Sequence, residues 1–432
     1  MKFGLENINR ILAALDSPHR RYPTAIVAGT NGKGSASAIL ASILQQAGYR
    51  TGLYSSPHLV RVNERMRVNG QEISDDDFAA AFTAVRQTVD RLVEEKSLEQ
   101  VPSFFEFLTA TAFLHFARAG VQFAVLEVGM GGRLDATNVT EPRVAVITNI
   151  GLDHVEFLGT THAAIAAEKA GVIRPGRPVI SSCEHPEAND VIRRRCDELQ
   201  AELLETSGFA RVSNLSDRQG LYAFNLLLNG DCLSNLQAPL RGRFQVKNAV
   251  AAVTAAWRLA QEGFNITPHA IREGLRRAVW PGRLEEILDH PLVLLDGAHN
   301  PAAAREVADF IRDHLAGRRR RLVYASMRDK AIGEISEILF PLADEIYLTH
   351  PDLARAATPE EILAATRTRP PRVIIESDPA RALEEACCAS SPEDVVLVLG
   401  SLFLVGAVKK ALAEGTLRLE EFANRSAASR PA

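Results

Sequence analysis

Residues 25–35 of this 432-residue chain read Ala-Ile-Val-Ala-Gly-Thr-Asn-Gly-Lys-Gly-Ser, and no other segment says as much about the fold. A short apolar run is followed by a glycine-rich turn, then by Lys33, Ser35 and a helix-like stretch over residues 35–46. In this order the loop N–H groups and the helix N-terminus face an anion, to which the lysine adds its charge. The pattern departs from the usual phosphate loop because Gly34 stands between the lysine and the hydroxyl. The segment predicts a strand–loop–helix unit that cradles a polyphosphate such as ATP; a glycine turn without a ligand is the alternative.

The composition is that of an ordinary globular protein, with 46% hydrophobic and 24% charged residues. Its length allows two or three domains with sizeable cores. A net charge of −4 gives no electrostatic attraction for nucleic acid or acidic membranes, so neither is expected as a partner. The one basic cluster, residues 318–321, is predicted to be a solvated loop.

The cysteines and the first residues of the chain indicate the cellular compartment of the protein. Five cysteines are scattered without a Cys-x-x-Cys pair or metal-ligand spacing, which favours free thiols in a reducing compartment. The N-terminal residues lack the apolar core of a signal peptide, and no apolar stretch of about 18 residues is present to span a bilayer. The sequence therefore predicts a cytoplasmic protein.

Apolar runs of strand length alternate with amphipathic segments of helix length, which predicts an α/β architecture with mainly parallel strands. The predicted strands are residues 25–28, 51–55, 123–128, 144–149 and 179–182, followed in the second half by residues 292–295, 322–325, 345–348, 373–375 and 395–399. Between residues 203 and 240 the pattern changes to a small antiparallel addition with a hairpin turn at Asn229-Gly230. Helical periodicity returns over residues 245–261 and 268–277.

A domain boundary is predicted at Trp280-Pro281-Gly282-Arg283, because proline and glycine stop the preceding helix. Residues 1–282 are expected to form a P-loop ATPase-like domain around a parallel sheet. Residues 283–432 are long enough for an independent, doubly wound Rossmann-like domain. The small and polar residues 423–432 predict a frayed tail.

Polar side chains interrupt the strand ends of the first domain. Glu127 comes just before a glycine-rich turn, His154 follows the fourth strand, and Ser56 follows the second. Because the carboxyl ends of parallel strands meet at one edge, beside the nucleotide, Glu127 is well placed to hold Mg²⁺, to which the Ser35 hydroxyl can also bind. A lone histidine at a strand end is more often structural than a metal ligand, but here Glu127 and Ser56 accompany His154.

Lys169 and Asp296 are two further charged residues at the ends of predicted elements. Lys169 lies at the end of a helix that Gly171 should cap, where a lysine commonly complements the helix dipole. Asp296 follows the first strand of the second domain, a position from which a carboxylate can bind ribose hydroxyls. Pro301 should start the helix that follows.

Taken together, these motifs resemble the family of folylpolyglutamate synthase and its bifunctional form, dihydrofolate synthase/folylpolyglutamate synthase, within the Mur ligase superfamily. The resemblance spans about residues 3–410 and keeps the order and spacing of the family's motifs. The matching segments are residues 29–35, 56–59, 63–65, 105–106, 127–138, 153–154, 158–159, 168–171, 281–283 and 296–301.

The resemblance implies an ATP-dependent ligase that adds L-glutamate to dihydropteroate, to reduced folates or to both, in folate biosynthesis and one-carbon metabolism. The reaction would run through an acyl phosphate and give ADP and phosphate. The string Leu-Asp-Ala-Thr-Asn at residues 134–138 is similar to the bifunctional form; a monofunctional folylpolyglutamate synthase is the alternative. A P-loop kinase, a regulatory NTPase or a protein that binds ATP without turnover would explain residues 29–35, but not Lys169 or residues 296–300.

The resemblance also implies the residues of the site. Those expected to bind ATP are Gly29, Thr30, Asn31, Gly32, Lys33, Gly34, Ser35, Asn248, Arg283, Asp296 and His299. Those expected to hold Mg²⁺ are Ser35, Ser56, Glu127 and His154, and those expected to bind the pterin are Ser103, Phe104, Phe105, Glu106, Leu134, Asp135 and Ala136. The expected catalytic residues are Lys33, His154 and Lys169, the last carried as a carbamate beside Mg²⁺. Because the ATP contacts come from both domains, the resemblance implies a nucleotide held between them, with closure completing the site.

One departure from the family lies at the N-terminus. Family members usually carry a further segment ahead of the Gly-Leu-Glu element, here Gly4-Leu5-Glu6, and part of that segment touches the pteroate. We therefore expect either a reduced contact or a start further upstream. The chain shows no strong oligomer signal, so a monomer with small-molecule substrates is expected.

Overall fold

The computed structural model describes residues 4–98, 101–368 and 372–419. The chain divides into two compact units. The first comprises Met1–Ser216, Tyr222–Pro239 and Gln245–Val279, and the second comprises Asp217–Leu221, Leu240–Phe244 and Trp280–Ala432. The predicted frayed tail, residues 423–432, and the start of the chain at Met1 lie outside the described residues.

The first unit contains a large sheet. Its strands are β1 (Thr24–Ala28), β2 (Thr51–Tyr54), β3 (Met66–Val68), β4 (Gln71–Glu72), β5 (Phe123–Glu127), β6 (Val144–Ile147), β7 (Val179–Ser181) and β8 (Leu203–Glu205). The order is β4-β3-β2-β5-β1-β6-β7-β8, with all neighbours from β2 to β8 parallel and β3 and β4 antiparallel at one edge. All five strands predicted for this half are confirmed.

The register of the sheet brings the site-bearing strand ends together. Val27 of β1 pairs with Glu127 of β5, and Ala28 pairs with Ile147 of β6. On the far side of β5 lies β2. Because these strands run in one direction, the loops that follow them all leave from the same edge of the sheet.

Helices pack against this sheet. The helices that precede Trp280 are α1 (Glu6–Ala14), α2 (Lys33–Gln46), α3 (Asp75–Glu94), α4 (Phe104–Arg118), α5 (Val155–Leu158), α6 (His162–Ala170), α7 (Pro186–Glu198), α8 (Thr206–Phe209), α9 (Arg243–Gln261) and α10 (Pro268–Arg277), with single 3-10 turns at Pro18–Arg20, Val62–Arg65 and Ala136–Val139. One hydrophobic core joins α1, α3 and α4 to the strands, and a second joins α6 and α7 to them. Every residue of β1 and β5 is buried, which explains their nearly continuous apolar sequence.

The edge strands β3 and β4 are absent from the sequence prediction. They form a hairpin whose turn, Asn69-Gly70, has positive φ at both residues (51° and 77°). With three and two residues, neither strand is long enough to show the alternation by which strands are recognised.

The predicted antiparallel addition is a separate three-stranded sheet. It consists of β9 (Ala210–Arg218), β10 (Leu221–Leu228) and β11 (Asp231–Gln237), in the order β11-β10-β9. The predicted hairpin turn is confirmed, since Asn229 and Gly230 have φ values of 45° and 94°, which asparagine and glycine tolerate best. Alternate residues of β10 are buried, among them Tyr222 and Phe224, so one face of the sheet packs inward.

The second unit contains a six-stranded sheet. Its strands are β12 (Glu285–Leu288), β13 (Leu292–Leu295), β14 (Arg320–Tyr324), β15 (Glu345–Leu348), β16 (Val373–Ile375) and β17 (Val395–Leu399), and its helices are α11 (Pro301–His314), α12 (Ile332–Leu339), α13 (Pro359–Ala365), α14 (Pro379–Cys388) and α15 (Leu402–Ala413), with a 3-10 turn at Phe340–Leu342. The order is β12-β13-β17-β14-β15-β16, parallel except for the edge strand β12. The five predicted strands are confirmed, and β12 is an addition to them.

The basic cluster of residues 318–321 is not a solvated loop, contrary to the prediction. Arg320 and Arg321 open β14, and Arg321 is only 2% exposed. Its guanidinium pairs with Glu345 (Nε to Oε2, 3.1 Å) and with Asp394 (Nη1 to Oδ2, 2.7 Å). A buried arginine requires such partners, and neither carboxylate is near it in sequence, so the cluster alone does not reveal the pairing.

The five cysteines are free thiols, as predicted. Those that are buried are Cys183, Cys196 and Cys387, and those that are exposed are Cys232 and Cys388. Burial raises the pKa of Cys196 and of Cys387 to about 12. Among the helices of the described residues, none has both the length and the apolar character to cross a membrane.

Candidate active site

The loop between β1 and α2 is held in shape by the residues that follow β6. Asn31 donates its N–H to Asn149 Oδ1 (2.7 Å), and the Thr148 hydroxyl donates to Asn31 O (2.6 Å). Gly29 has a φ of 146°, and a Cβ at this position would overlap the Thr148 hydroxyl. Gly32 precedes α2 with a φ of 82°. The loop is therefore preorganised, with a helix N-terminus behind it, as a phosphate-binding loop must be.

Lys33 is the first residue of α2, and its ammonium group turns back over the loop. Nζ donates to Gly29 O (3.1 Å) and to Thr30 O (3.0 Å). Gly34 and Ser35 follow within the first turn of the helix and are buried. The additional glycine is thus accommodated inside the helix, and the charge of the lysine remains at the loop.

Lys169 reaches the same loop from α6. Its Nζ donates to Gly29 O at 2.7 Å, and its side chain is 4% exposed. Burial, together with the neighbouring charge of Lys33, lowers the pKa of Lys169 to about 7. Gly171 caps α6 as predicted, with a φ of −62°. The lysine donates a hydrogen bond to a carbonyl 140 positions away in the sequence. An interaction with the dipole of its own helix does not account for this contact.

Two predicted Mg²⁺ ligands meet at the carboxyl end of β5. Glu127 is 4% exposed, and its Oε2 accepts the N–H of Ser56 at 3.3 Å. Ser35, in the first turn of α2, is buried, and its hydroxyl oxygen has no hydrogen-bond partner. A buried hydroxyl without a hydrogen-bond partner lowers the stability of the fold. The Ser35 hydroxyl and the Glu127 carboxylate are oxygen donors of the kind that Mg²⁺ prefers, so these residues fit a bound Mg²⁺ ion.

His154 differs from the other predicted ligands because it is exposed. It immediately precedes α5, with a φ of 51°. The turn before it is tied to the phosphate loop, since the Thr30 hydroxyl donates to Gly151 O (3.0 Å) and accepts from Gly151 N (2.9 Å). Across the part of the chain that the structure describes, no group of three or more His, Cys, Asp or Glu side chains is arranged to hold a metal. A metal bound by these residues would therefore need other donors, such as the serine hydroxyls.

The predicted pterin residues lie on two segments that meet at Gly129. A Cβ at Gly129 would lie 2.7 Å from Phe105 Cζ and 3.2 Å from Asp135 Oδ2. The buried carboxylate of Asp135 accepts the N–H groups of Gly129, Met130 and Thr137, each at 3.0 Å. Burial raises the pKa of Asp135, which these hydrogen bonds partly counteract. Asp135 thus shapes the loop on which it lies.

The start of α4 carries the other predicted pterin residues. Ser103 N donates to Glu106 Oε2 (2.8 Å), and Glu106 N donates to Ser103 Oγ (3.3 Å), which is a capping box. These two residues complete the helix end, whereas Phe104 is 63% exposed and can contact a ligand. On the other segment, Leu134 is half-buried and Ala136 is buried.

Arg65 belongs to the same neighbourhood, although the sequence by itself gives it no role. It is 9% exposed, and its Nε donates to His58 Nδ1 at 3.0 Å. Its guanidinium lies 5.7 Å from the centre of the Phe104 ring, within cation–π range. Burial lowers the pKa of Arg65, while Tyr54 and Glu127 act to raise it. Its only signal in the sequence is that residues 63–65 are among the segments of the family resemblance.

Asn248, predicted to contact ATP, lies on α9 against the phosphate loop. A Cβ at Gly32 would lie 2.8 Å from Asn248 Cγ. The Asn248 amide donates to Gln245 Oε1 at 2.9 Å, and the side chain is buried. The loop glycine is therefore required by this close approach as well as by its φ.

In the second unit, Asp296 lies at the end of β13 and is buried. Its Oδ2 accepts the N–H of Leu284 (2.9 Å), and its Oδ1 accepts the N–H of Ala298 (2.7 Å). Burial raises the pKa of Asp296, and the charge of Arg283 acts in the opposite direction. Pro301 starts α11, as predicted. Asp296 thus fixes the turn between β13 and α11.

Arg283 and His299 flank that turn. Arg283 Nη1 donates to Gly282 O at 2.8 Å. His299 Nδ1 lies 2.7 Å from Gly297 O. A Cβ at Gly297 would lie 2.2 Å from Leu402 Cδ2 and 2.7 Å from Arg283 Nη1, so only glycine fits there without displacing these side chains.

Comparison with known protein families accounts for both halves of the chain. Residues 27–256 match the Mur ligase middle domain. Residues 282–402 match the glutamate ligase domain of Mur ligases.

Similar proteins extend over nearly the whole chain. The dihydrofolate synthase/folylpolyglutamate synthase of Bacillus subtilis (strain 168) is 34% identical over 414 residues, which is 95% of each chain. The protein of the same name from Escherichia coli (strain K12) is 34% identical over 417 residues, covering 95% of this chain and 91% of its relative.

Solved structures show the same fold. E. coli FolC in complex with DHPP and ADP superposes with a TM-score of 0.85 at 33% identity, covering 96% of this chain and 94% of the other. Mycobacterium tuberculosis folylpolyglutamate synthase complexed with ADP and AMPPCP gives a TM-score of 0.88 at 32% identity, covering 94% and 95%. The predicted α/β fold class is confirmed. The chain belongs to the Mur ligase family, and within it to the ATP-dependent, amide-forming dihydrofolate synthase/folylpolyglutamate synthases.

Proposed function

We propose that this chain is a bifunctional ligase that joins L-glutamate to dihydropteroate and to reduced folates, converting ATP into ADP and phosphate. The main support is that the side chains of Lys33 and Lys169 converge on the carbonyl of Gly29, at the sheet edge where the buried Glu127 ends β5. Lys33 places its positive charge at the loop where a polyphosphate would lie. The names of the relatives from B. subtilis and E. coli support the substrate class.

The chemistry begins with a poor electrophile, because a carboxylate repels nucleophiles and its oxygens leave badly. Transfer of the γ-phosphoryl group of ATP gives an acyl phosphate, whose phosphate is a good leaving group. The glutamate amine attacks the acyl carbon, a tetrahedral intermediate forms, and phosphate departs as the amide bond is completed. The protein therefore has to position the reactants, neutralise charge and exclude water, and needs no nucleophilic side chain.

Lys33 is proposed to neutralise the β- and γ-phosphates. Its ammonium donates to the carbonyls of Gly29 and Thr30. A rotation of the side chain alone would redirect it to a phosphate, because its backbone is already fixed in the first turn of α2.

Mg²⁺ is proposed to accompany the nucleotide, held by Ser35, Ser56, Glu127 and His154. The hydroxyl of Ser35 lacks a partner and the carboxylate of Glu127 is buried, so both supply oxygen donors of the kind that Mg²⁺ prefers. The ion, when bound, neutralises charge on the polyphosphate.

Lys169 is proposed to be carried as a carbamate. CO₂ adds only to a neutral amine, and a pKa of about 7 leaves roughly half of the amines neutral at pH 7. The resulting anion would replace the repulsion between Lys169 and Lys33 by attraction. We expect Lys169→Ala to be nearly inactive and to be partly restored by short-chain carboxylic acids that replace the missing anion. A normal rate in this variant would remove Lys169 from the mechanism.

The remaining contacts are proposals on the same basis. For ATP they come from the rest of the loop, Thr30, Asn31, Gly32 and Gly34, and from Asn248, Arg283, Asp296 and His299. For the pterin they come from Phe104, Phe105, Leu134, Asp135 and Ala136, with Ser103 and Glu106 fixing the start of α4. Asp296 already accepts two backbone N–H groups, but each carboxylate oxygen keeps a lone pair for a ribose hydroxyl.

We also propose a monomeric enzyme of the cytoplasm. Its five free cysteines suit a reducing compartment. Sedimentation at micromolar concentration should give a single species near the chain mass of 47.1 kDa.

The deciding experiment measures ADP formation with purified protein, offering dihydropteroate or tetrahydrofolate, each with and without L-glutamate. ADP should form with either acid, and only when glutamate is also present. If ADP forms with tetrahydrofolate and glutamate but not with dihydropteroate and glutamate, a monofunctional folylpolyglutamate synthase is favoured. ADP formed without acid and glutamate would favour a kinase or regulatory NTPase.

A further inference from the structure

The loop that carries Asp135 touches the end of α6 backbone to backbone. A Cβ at Gly132 would lie 2.7 Å from Glu168 O and 2.9 Å from Lys169 O. A Cβ at Gly171 would lie 2.5 Å from Arg133 Cα. The φ of Gly171 is −62°, which any residue can adopt, so its backbone conformation does not require glycine. The close approach to Arg133 does. The two segments form one contact that no larger side chain could enter.

Asn138 joins the two segments at this contact. Its Nδ2 donates to Arg133 O (3.1 Å) on the loop and to Gly171 O (3.0 Å) at the end of α6. Its Oδ1 accepts from Arg174 Nη2 (2.9 Å), and the side chain is 5% exposed. Both amide N–H groups and the amide oxygen are thus used, which an asparagine can do and an aspartate cannot.

Other bonds also cross the contact. Arg133 N donates to Glu168 O (2.8 Å), and Arg174 Nη2 donates to Asn138 O (2.6 Å) and Thr140 O (3.1 Å). The ion pair across the contact is the weakest of these links. Arg133 and Glu168 form an ion pair at 2.8 Å, but their side chains are 56% and 27% exposed. Pairs of this kind contribute little in water. The side chain of Asn138 is almost fully buried, and losing it would leave Arg133 O without its side-chain donor, whereas Gly171 O would keep Arg174 Nη1 at 3.2 Å.

The two joined segments lead to different parts of the site. The loop holds Asp135, beside Phe105, and the helix end holds Lys169, whose Nζ bonds Gly29 O in the phosphate loop. A rigid joint at Asn138 therefore fixes the position of Lys169 relative to the loop expected to contact the acid substrate.

We propose that Asn138 is a positioning residue for Lys169, locking the end of α6 onto the loop of residues 129–138 so that the two move as one body. The inference rests on the proposed function only for the role of Lys169 in the reaction. The accessibility of the Lys169 amine can be measured without assaying catalysis. The positioning role of Asn138 and the catalytic role of Lys169 can therefore be refuted independently.

The test measures how accessible the Lys169 amine is. Lysines are trace-labelled with acetic anhydride in bicarbonate-depleted buffer, and labelling of Lys169 is compared by peptide mass spectrometry with that of Lys247, whose side chain is 53% exposed. Asn138→Asp keeps the size and the bond from Arg174 but removes both donors; Asn138→Ala removes the amide altogether. Each should raise the labelling of Lys169 relative to Lys247 by about tenfold, because the helix end opens more often.

The matched control is Thr88→Val on α3. It removes a hydrogen bond of a buried side chain, from Thr88 Oγ1 to Ala84 O at 2.9 Å, far along the chain from the loop and α6. Its labelling of Lys169 should stay at the wild-type level. In steady-state kinetics the Asn138 variants should lose at least about tenfold in kcat while the KM values change less than about twofold, since Lys169 and not ground-state binding is disturbed.

Unchanged labelling of Lys169 in both Asn138 variants would overturn the inference, as would an equal rise in Thr88→Val, which would reveal a general loss of stability. If Lys169→Ala proves fully active, the proposed role of the lysine is wrong, and the labelling ratios still decide whether Asn138 positions it. If Asn138→Ala does not fold, the isosteric Asn138→Asp carries the test alone.

Discussion

Replacing Lys169 by methionine should stabilise the ligand-free protein while abolishing its activity. Lys169 is 4% exposed, and its pKa is lowered from 10.5 to about 7, chiefly by burial. Each pKa unit corresponds to 1.36 kcal/mol, so at pH 7 the buried amine costs about 4 kcal/mol of unfolding free energy. Loss of the hydrogen bond to Gly29 O offsets about 1 kcal/mol, which leaves a net gain of about 3 kcal/mol in the variant.

The pH dependence gives a sharper signature than the size of the gain. Between the folded pKa of about 7 and the unfolded value of 10.5, the unfolded chain binds more protons at Lys169 than the folded chain does. The free energy of unfolding of the wild type should therefore rise with pH in this window, by at most about 1.4 kcal/mol per unit from this group. Lys169→Met lacks the group, so its advantage should shrink as the pH increases.

The assay is urea unfolding at pH 7, 8 and 9 in buffers purged of CO₂, read by pulse-labelling hydrogen exchange of peptides from the first unit. Lys247→Met, which removes an exposed lysine, is the control and should reproduce the wild-type slope. Parallel pH profiles for wild type and Lys169→Met would show that the pKa of Lys169 is not lowered. The argument for a carbamate at this lysine would then lose its physical basis.

Further predictions concern the phosphate loop, the metal ligands and the second unit. Lys33→Ala should reduce amide formation at saturating ATP by at least about 100-fold, since a charge at the transferring phosphoryl group is worth several kcal/mol; near-normal turnover would exclude the loop from the site. Glu127→Gln and His154→Ala should each raise the Mg²⁺ concentration for half-maximal rate, and an unchanged requirement in both would leave them structural. Arg321→Ala should lower the unfolding free energy of the second unit by about 1–3 kcal/mol, because Glu345 and Asp394 lose their buried partner and Glu345 keeps only the more exposed Arg319 and Arg372; no measurable loss in urea unfolding would contradict this.

The elements with a strong pattern could be predicted from the sequence. Residues 25–35 give a buried strand, a glycine turn and a helix start, and the structure has β1, the loop and α2 in those places. The hairpin at Asn229-Gly230 is equally local, because the two residues themselves adopt the positive φ that the turn needs. In each case the residues that form the sequence pattern are also the residues that form the local structure.

What the sequence could not give depends on partners far away in the chain. Lys169 read by itself is a lysine at a helix end, and its bond to Gly29 O appears only once α6 and the loop are packed together. Arg321 similarly belongs to a basic run until folding brings Glu345 and Asp394 to it. Such pairings leave no periodicity, so only the tertiary structure reveals them.

The distribution of the thiols has a practical consequence. The first unit has one exposed cysteine, Cys232, and the second has one, Cys388, while burial keeps the remaining three away from reagents. Maleimides react with the thiolate form of cysteine. With pKa values of about 12, Cys196 and Cys387 remain protonated at neutral pH and are unreactive as well as inaccessible. A maleimide dye should therefore attach at one place in each unit of the unaltered chain. Energy transfer between a donor and an acceptor at these two positions would then report, molecule by molecule, how their separation responds as ATP, acid and glutamate are added.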